Sequence, residues 1–272
     1  FTAVEGKGSN ALCAELWSLT DEMGEKSGKK ILAALRSDDR AVRTTALLAY
    51  EAYADDEFYA QVAKMYRKLS AEAKADVIYW LGAKDVQSQL PLVLSELDAD
   101  GELGSNAIEA AGRLGGSEAA GKLVAMVGGT RSSEAVAALK YIDSDITSLV
   151  QEGLKNADGE RLNGLMKLAS DKHMCGAAPM ILEYAASKDA GLASKAAKTL
   201  YGVVSPTDFP AVAALYDSSK SDRKALKKAI NSSLASLPAD ERFDLVMDYL
   251  AKASHPESFY MVLAGTGSDK AT

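Results

Sequence analysis

Apolar residues in this chain recur three and four positions apart, in short stretches separated by polar turns. Leu90-Pro91-Leu92-Val93-Leu94-Ser95-Glu96-Leu97 is one such stretch; Pro179-Met180-Ile181-Leu182-Glu183-Tyr184 and Phe243-Asp244-Leu245-Val246-Met247 are others. This spacing predicts helices, not the strict alternation of strands. Asp98-Ala99-Asp100-Gly101, Ser187-Lys188-Asp189 and Asp217-Ser218-Ser219-Lys220 read as turns whose Asp and Ser cap the next helix. Pro91, Pro179 and Pro210 fall in or near a first helical turn, where a missing N–H costs little. Gly115-Gly116 and Gly128-Gly129 follow helices and read as C-caps.

The pattern also repeats. Ala110-Ala111 before Leu114 matches Ala196-Ala197 before Leu200, and Val77-Ile78, Ala46-Leu47, Ala137-Ala138 and Ile230-Asn231 fill the same slot. The large apolar residue three positions after each pair gives a series of anchors: Leu19, Tyr50, Leu81, Leu114, Tyr141, Leu168, Leu200, Leu234 and Leu263. Their spacing of 27 to 34 residues is that of a helical-hairpin repeat. The expectation is an all-α chain: a right-handed α-solenoid of about eight stacked hairpins. Residues 1–10 would be a leader or linker, 11–265 the array, and 266–272 a polar, flexible tail. The two shortest periods predict a kink near 116–170.

Ser37-Asp38-Asp39-Arg40-Ala41-Val42-Arg43-Thr44-Thr45-Ala46 carries a family resemblance. It resembles the HEAT-repeat family, most closely the short-period bacterial, phycobilin-lyase-type branch of this armadillo-type superfold. Asp39, Val42, Arg43 and Ala46 occupy the places that branch favours. The resemblance implies a binding scaffold. It also brings in a bilin-lyase-type enzyme, an accessory array of a glycan-processing enzyme, and a HEAT-like DNA glycosylase as alternatives.

Composition narrows these. The chain is 47% hydrophobic and 25% charged, as a globular protein is, and its 6 Pro, 2 Trp and 5 Phe among many Ala and Leu suit helices. No apolar run approaches the roughly 20 residues of a membrane span. A net charge of −7 argues against nucleic acid as the partner and against the glycosylase reading. Cys13 and Cys175 form neither a disulfide framework nor a zinc spacing. Beginning at Phe1, the chain reads as a mature or excised piece of something longer, with a lean towards export.

Chemistry is sparse. His173 and Cys175 lack a third ligand nearby, so they read as turn residues, and His255-Pro256 reads as another turn. Asp38-Asp39 and Asp55-Asp56-Glu57 fall at helix starts, where they complement the dipole. No catalytic residue, metal or cofactor is assigned. Two surface features stand out as binding candidates. Arg113, Lys140 and Lys167 each precede an anchor, 27 residues apart, and would form a cation ladder that Lys195 and Lys198 extend. Glu109, Glu134 and Glu160 could instead balance it as a solvated face. The second feature is aromatic: Tyr79 or Trp80, beside Leu81, is expected to be partly exposed within a Tyr-rich stretch. The function so read is a non-enzymatic scaffold for a protein or peptide, or a glycan.

Overall fold

The computed structural model describes residues 8–219 and 222–271; they are all-α, with short 3-10 turns and no strand among them. The chain divides into two compact units, Phe1–Leu123 with Ala137–Ser144, and Val124–Val136 with Asp145–Thr272. The first unit holds α1 (Ser9–Met23), α2 (Gly28–Ala34), α3 (Arg40–Ala49), α4 (Asp56–Tyr66), α5 (Ala71–Ala83), α6 (Leu90–Leu94) and α7 (Gly101–Leu114). Next come α8 (Gly116–Met126) and α9 (Ser132–Tyr141), each with residues in both units. The second unit continues with α10 (Thr147–Lys155), α11 (Gly159–Asp171), α12 (Ala178–Ala185), α13 (Ala190–Thr199), α14 (Phe209–Ser218), α15 (Arg223–Leu234), α16 (Ala239–Leu250) and α17 (Tyr260–Ala264). In the first, α1, α3, α5 and α7 pack in succession, and α6 pairs with α7. In the second, α10/α11, α12/α13 and α14/α15 are hairpins, and α11, α13 and α15 are successive neighbours.

Helix starts follow the sequence in part, since Asp100 stands at the N-cap of α7 without a side-chain cap bond. Asp39, Asp55, Ser70 and Asp189 accept backbone N–H groups of the first turns of α3, α4, α5 and α13. Each cap satisfies donors that the helix leaves open. Pro91, Pro179 and Pro210 lie in first turns, as expected. Asp217 departs from its expected turn: it ends α14, is buried, and accepts the N–H groups of Ser254 and His255 at 2.7 and 2.8 Å. Lys220, expected in that turn, lies outside the described residues, as do 1–7 of the expected leader.

One helix ending is built twice, 88 residues apart. Asp85 and His173 both take a left-handed conformation, with φ of 52° and 54°. Val86 N–H then bonds Leu81 O, and Met174 N–H bonds Ala169 O, at 3.1 and 2.9 Å. Asp85 N–H to Gly82 O and His173 N–H to Ser170 O complete the same Schellman ending. A 3-10 turn and a Pro-bearing helix follow both. This backbone match aligns Trp80 with Leu168, one position away from the anchor register read in the sequence.

A second register correction falls in α9. Tyr141, expected as an anchor, is 62% exposed, and Ala137 is exposed too. Ala138, Leu139 and Ile142 are buried instead, so the slot sits one residue later. Asn231, read as half of a slot pair, is likewise exposed.

Neighbouring hairpins are tied by side chains that reach backbone carbonyls about one repeat away. Asn106 Nδ2 donates to Ala75 O, Gln87 Nε2 to Leu114 O, Gln151 Nε2 to Gly176 O and Tyr184 OH to Leu154 O, at 2.6–3.0 Å. Residues 266–271 differ from the expected flexible tail. Thr266 and Ser268 are buried, Ser268 Oγ donates to Asp240, and Lys270 pairs with Asp244 at 2.9 Å, both on α16.

Candidate functional site

Tyr79 on α5 is 50% exposed, whereas Trp80 is 4% exposed. Consecutive helical residues point about 100° apart, so a helix that turns Tyr79 outward carries Trp80 into the core. There the indole packs on Tyr59 and edge-on against Phe58, with ring centroids 5.6 and 6.3 Å away. Trp80 therefore leaves the set of recognition residues. Tyr79 gains a neighbour from it: the Arg113 guanidinium of α7 lies 5.9 Å from its ring centroid and bonds Glu109 at 2.5 Å.

The cation ladder is not continued in register. Lys140 is exposed on α9, but with Ile142 as the buried anchor it sits two residues before that position, not one. The balancing acids behave partly as a solvated face would have them. Glu109 pairs with Arg113 and Glu160 with Lys195, while Glu134 pairs with Arg131.

Lys167, Lys195 and Lys198 do meet. All three line one groove of about 450 Å³ in the second unit, between α11 and α13. Glu160, Asn163, Lys167 and Asp171 share one face of α11 by their three- and four-residue spacing, and all four line the groove. Lys195 and Lys198 face them from α13, and Tyr201 closes the lining after the helix ends. The Lys195 ammonium is 3.9 Å from Glu160, a loose exposed pair that holds neither group tightly. Lys167 and Lys198 are exposed and have no ion-pair partner among the described residues. On the Tyr201 ring the Lys228 ammonium sits 3.2 Å from the centroid, which fixes that aromatic in place.

The groove can therefore take carboxylates on Lys167 and Lys198, a partner cation on Glu160 or Asp171, and side-chain hydrogen bonds on Asn163 and Thr199. Asn163, Asp171 and Tyr201 were missed as site residues because they acquire meaning only when α11 and α13 are placed side by side. A face analysis of α11 seeded on Lys167 would have found the first two.

His173 and Cys175 lie in the Schellman turn after α11, His173 Nδ1 donating to Gly202 O at 3.2 Å. Among the described residues no group of three or more His, Cys, Asp or Glu side chains comes together as metal ligands. None of the described helices is long and apolar enough to cross a membrane. Comparison with protein-family models finds no match, and comparison with curated proteins finds no relative of significant similarity.

Proposed function

We propose that this protein is a non-enzymatic interaction module: a HEAT-like α-solenoid that binds a partner protein through an exposed, carboxylate-bearing peptide segment. The observation that carries the reading is the meeting of Lys167, Lys195 and Lys198 in the α11–α13 groove. Three cations from two helices, two of them without an ion-pair partner among the described residues, form a surface with net positive charge on a protein of net charge −7. Such a local field attracts an acidic segment and orients it. Glu160 and Asp171 on the same groove select for a segment of mixed charge over a uniformly anionic polymer.

The test is a cross-linking pull-down from the native source, comparing the wild type with a variant carrying Lys167→Glu, Lys195→Glu and Lys198→Glu, followed by titration of the purified partner. The expected result is a partner whose affinity for the variant drops about tenfold or more. Equal affinity for both proteins removes the groove from the interaction. A chain that captures nothing sinks the scaffold reading.

A further inference from the structure

The first unit is acid-rich: residues 1–123 and 137–144 carry 15 basic and 21 acidic side chains. Several of its cations are held by carboxylates or aromatic rings. Arg40 and Arg43 are held by Asp76, Lys84 by Glu51, Arg113 by Glu109, and Lys74 lies over Tyr66. Against that background, Lys29 and Arg36 of the α2 segment and Lys64 and Lys68 of the α4 segment line a single groove of about 370 Å³. No carboxylate lines it. Among the described residues none of these four cations has an ion-pair partner. The acid touching the lining is Glu57, whose carboxylate accepts from Gln61 Nε2 at 3.2 Å.

Two features of this groove describe an occupant. Its cations stand in two rows, Lys29 and Arg36 seven residues apart in sequence and Lys64 and Lys68 four apart, with all four exposed. Like charges at such spacings repel, and an anion lying between the rows relieves that repulsion. Arg36 and Lys68 also lie just beyond helix C-termini, where the dipole favours a cation. The groove is not lined by charge alone: the half-buried Leu32 and Met65 give it an apolar component. A phosphate or sulfate polymer has no aliphatic side chain to cover Leu32 and Met65. An amphipathic acidic helix has both parts: an apolar stripe, and carboxylates at three- and four-residue spacing beside it.

We propose that the α2–α4 groove docks an acidic amphipathic helix of a partner protein, its apolar stripe on Leu32 and Met65 and its carboxylates on Lys29, Arg36, Lys64 and Lys68. This extends the interaction reading to a second surface, and each surface is tested by its own substitutions.

The experiment is fluorescence anisotropy on the full chain, with a labelled helical peptide of about fourteen residues that bears leucine at helical spacing flanked by glutamate. Parallel probes replace leucine by alanine or glutamate by lysine; a heparin oligosaccharide and a single-stranded oligonucleotide complete the set. Binding of the glutamate–leucine peptide is expected to weaken about tenfold in Lys64→Glu with Lys68→Glu, and likewise in Lys29→Glu with Arg36→Glu. It should hold its strength in Lys167→Glu with Lys198→Glu, so a failure at the α11–α13 groove leaves this result intact. The alanine probe should bind several-fold more weakly, and the lysine probe not at all. Should a reversal variant fail to fold by circular dichroism, hydrogen exchange on the wild type decides: the peptide should protect amides of α2 and α4. The proposal is overturned by no binding up to about 1 mM, by equal binding to the reversal variants, by protection elsewhere, or by tighter binding of heparin or the oligonucleotide to the same four cations.

Discussion

Asp76 is a buried carboxylate held by two arginines. Arg43 Nε and Nη2 both lie 2.8 Å from Oδ2, and Arg40 Nε lies 3.0 Å from Oδ1. Arg43 also donates to the carbonyls of Ser37 and Asp38 at 2.9 Å, so its own charge is fully used. Removing one member of such a pair strands a charge in the core. Asp76→Ala should therefore lower stability by about 3–5 kcal/mol in chemical denaturation, while Arg43→Met with Asp76→Leu together should recover most of that loss. Asp39 behaves differently, because it is solvated. The Ser9 hydroxyl and then the Ala41 N–H hold its carboxyl below the usual range. A depressed folded value means that its stabilisation is complete above the ordinary Asp value near 4 and is lost as pH falls through the folded one. In an NMR titration Asp39 should ionise below a free aspartate, and Ser9→Ala should move it upward. Arg43 was visible in the sequence as part of a repeat motif, Val42-Arg43. Its ion pair was not, because Asp76 is 33 residues away and carries no motif of its own.

Helix spacing depends on where a side chain is missing. A Cβ on Gly82 of α5 would stand 2.5 and 2.7 Å from Cβ and Cα of Ala110 on α7. One on Gly112 would stand 2.6–2.9 Å from the Ala138 backbone of α9. Backbone yields less readily than a flexible side chain, so Gly82→Ala and Gly112→Ala should each cost about 1–3 kcal/mol despite alanine's better helix propensity. Gly121 of α8 has nothing within 4 Å of its would-be Cβ, and Gly121→Ala should stabilise by about 0.5–1 kcal/mol. Opposite signs from three like substitutions, read as shifts in denaturant midpoint, would identify close approach as the cause. No sequence pattern marked these places: Gly82, Gly112 and Gly121 lie outside the paired slots read along the chain. The sequence located most helices because caps and apolar spacing are local, but it misplaced Tyr141, where Ala137-Ala138 mimics a slot that the packed helix shifts by one residue. The groove residues Asn163, Asp171 and Tyr201 were less legible still, since adjacency between α11 and α13 is a property of packing.

At the scale of the whole molecule the repeat reading makes a demand that no single helix makes. In a solenoid each hairpin buries its apolar face only against its sequence neighbours, so lengthening the chain extends the array and does not thicken a central core. One Schellman ending recurs after 88 residues, close to three periods of the sequence pattern. Side-chain ties reach about 25–31 residues along the chain, the separation of adjacent repeats. Both grooves stand apart from the repeat reading, because each is formed within one unit by helices that are already neighbours.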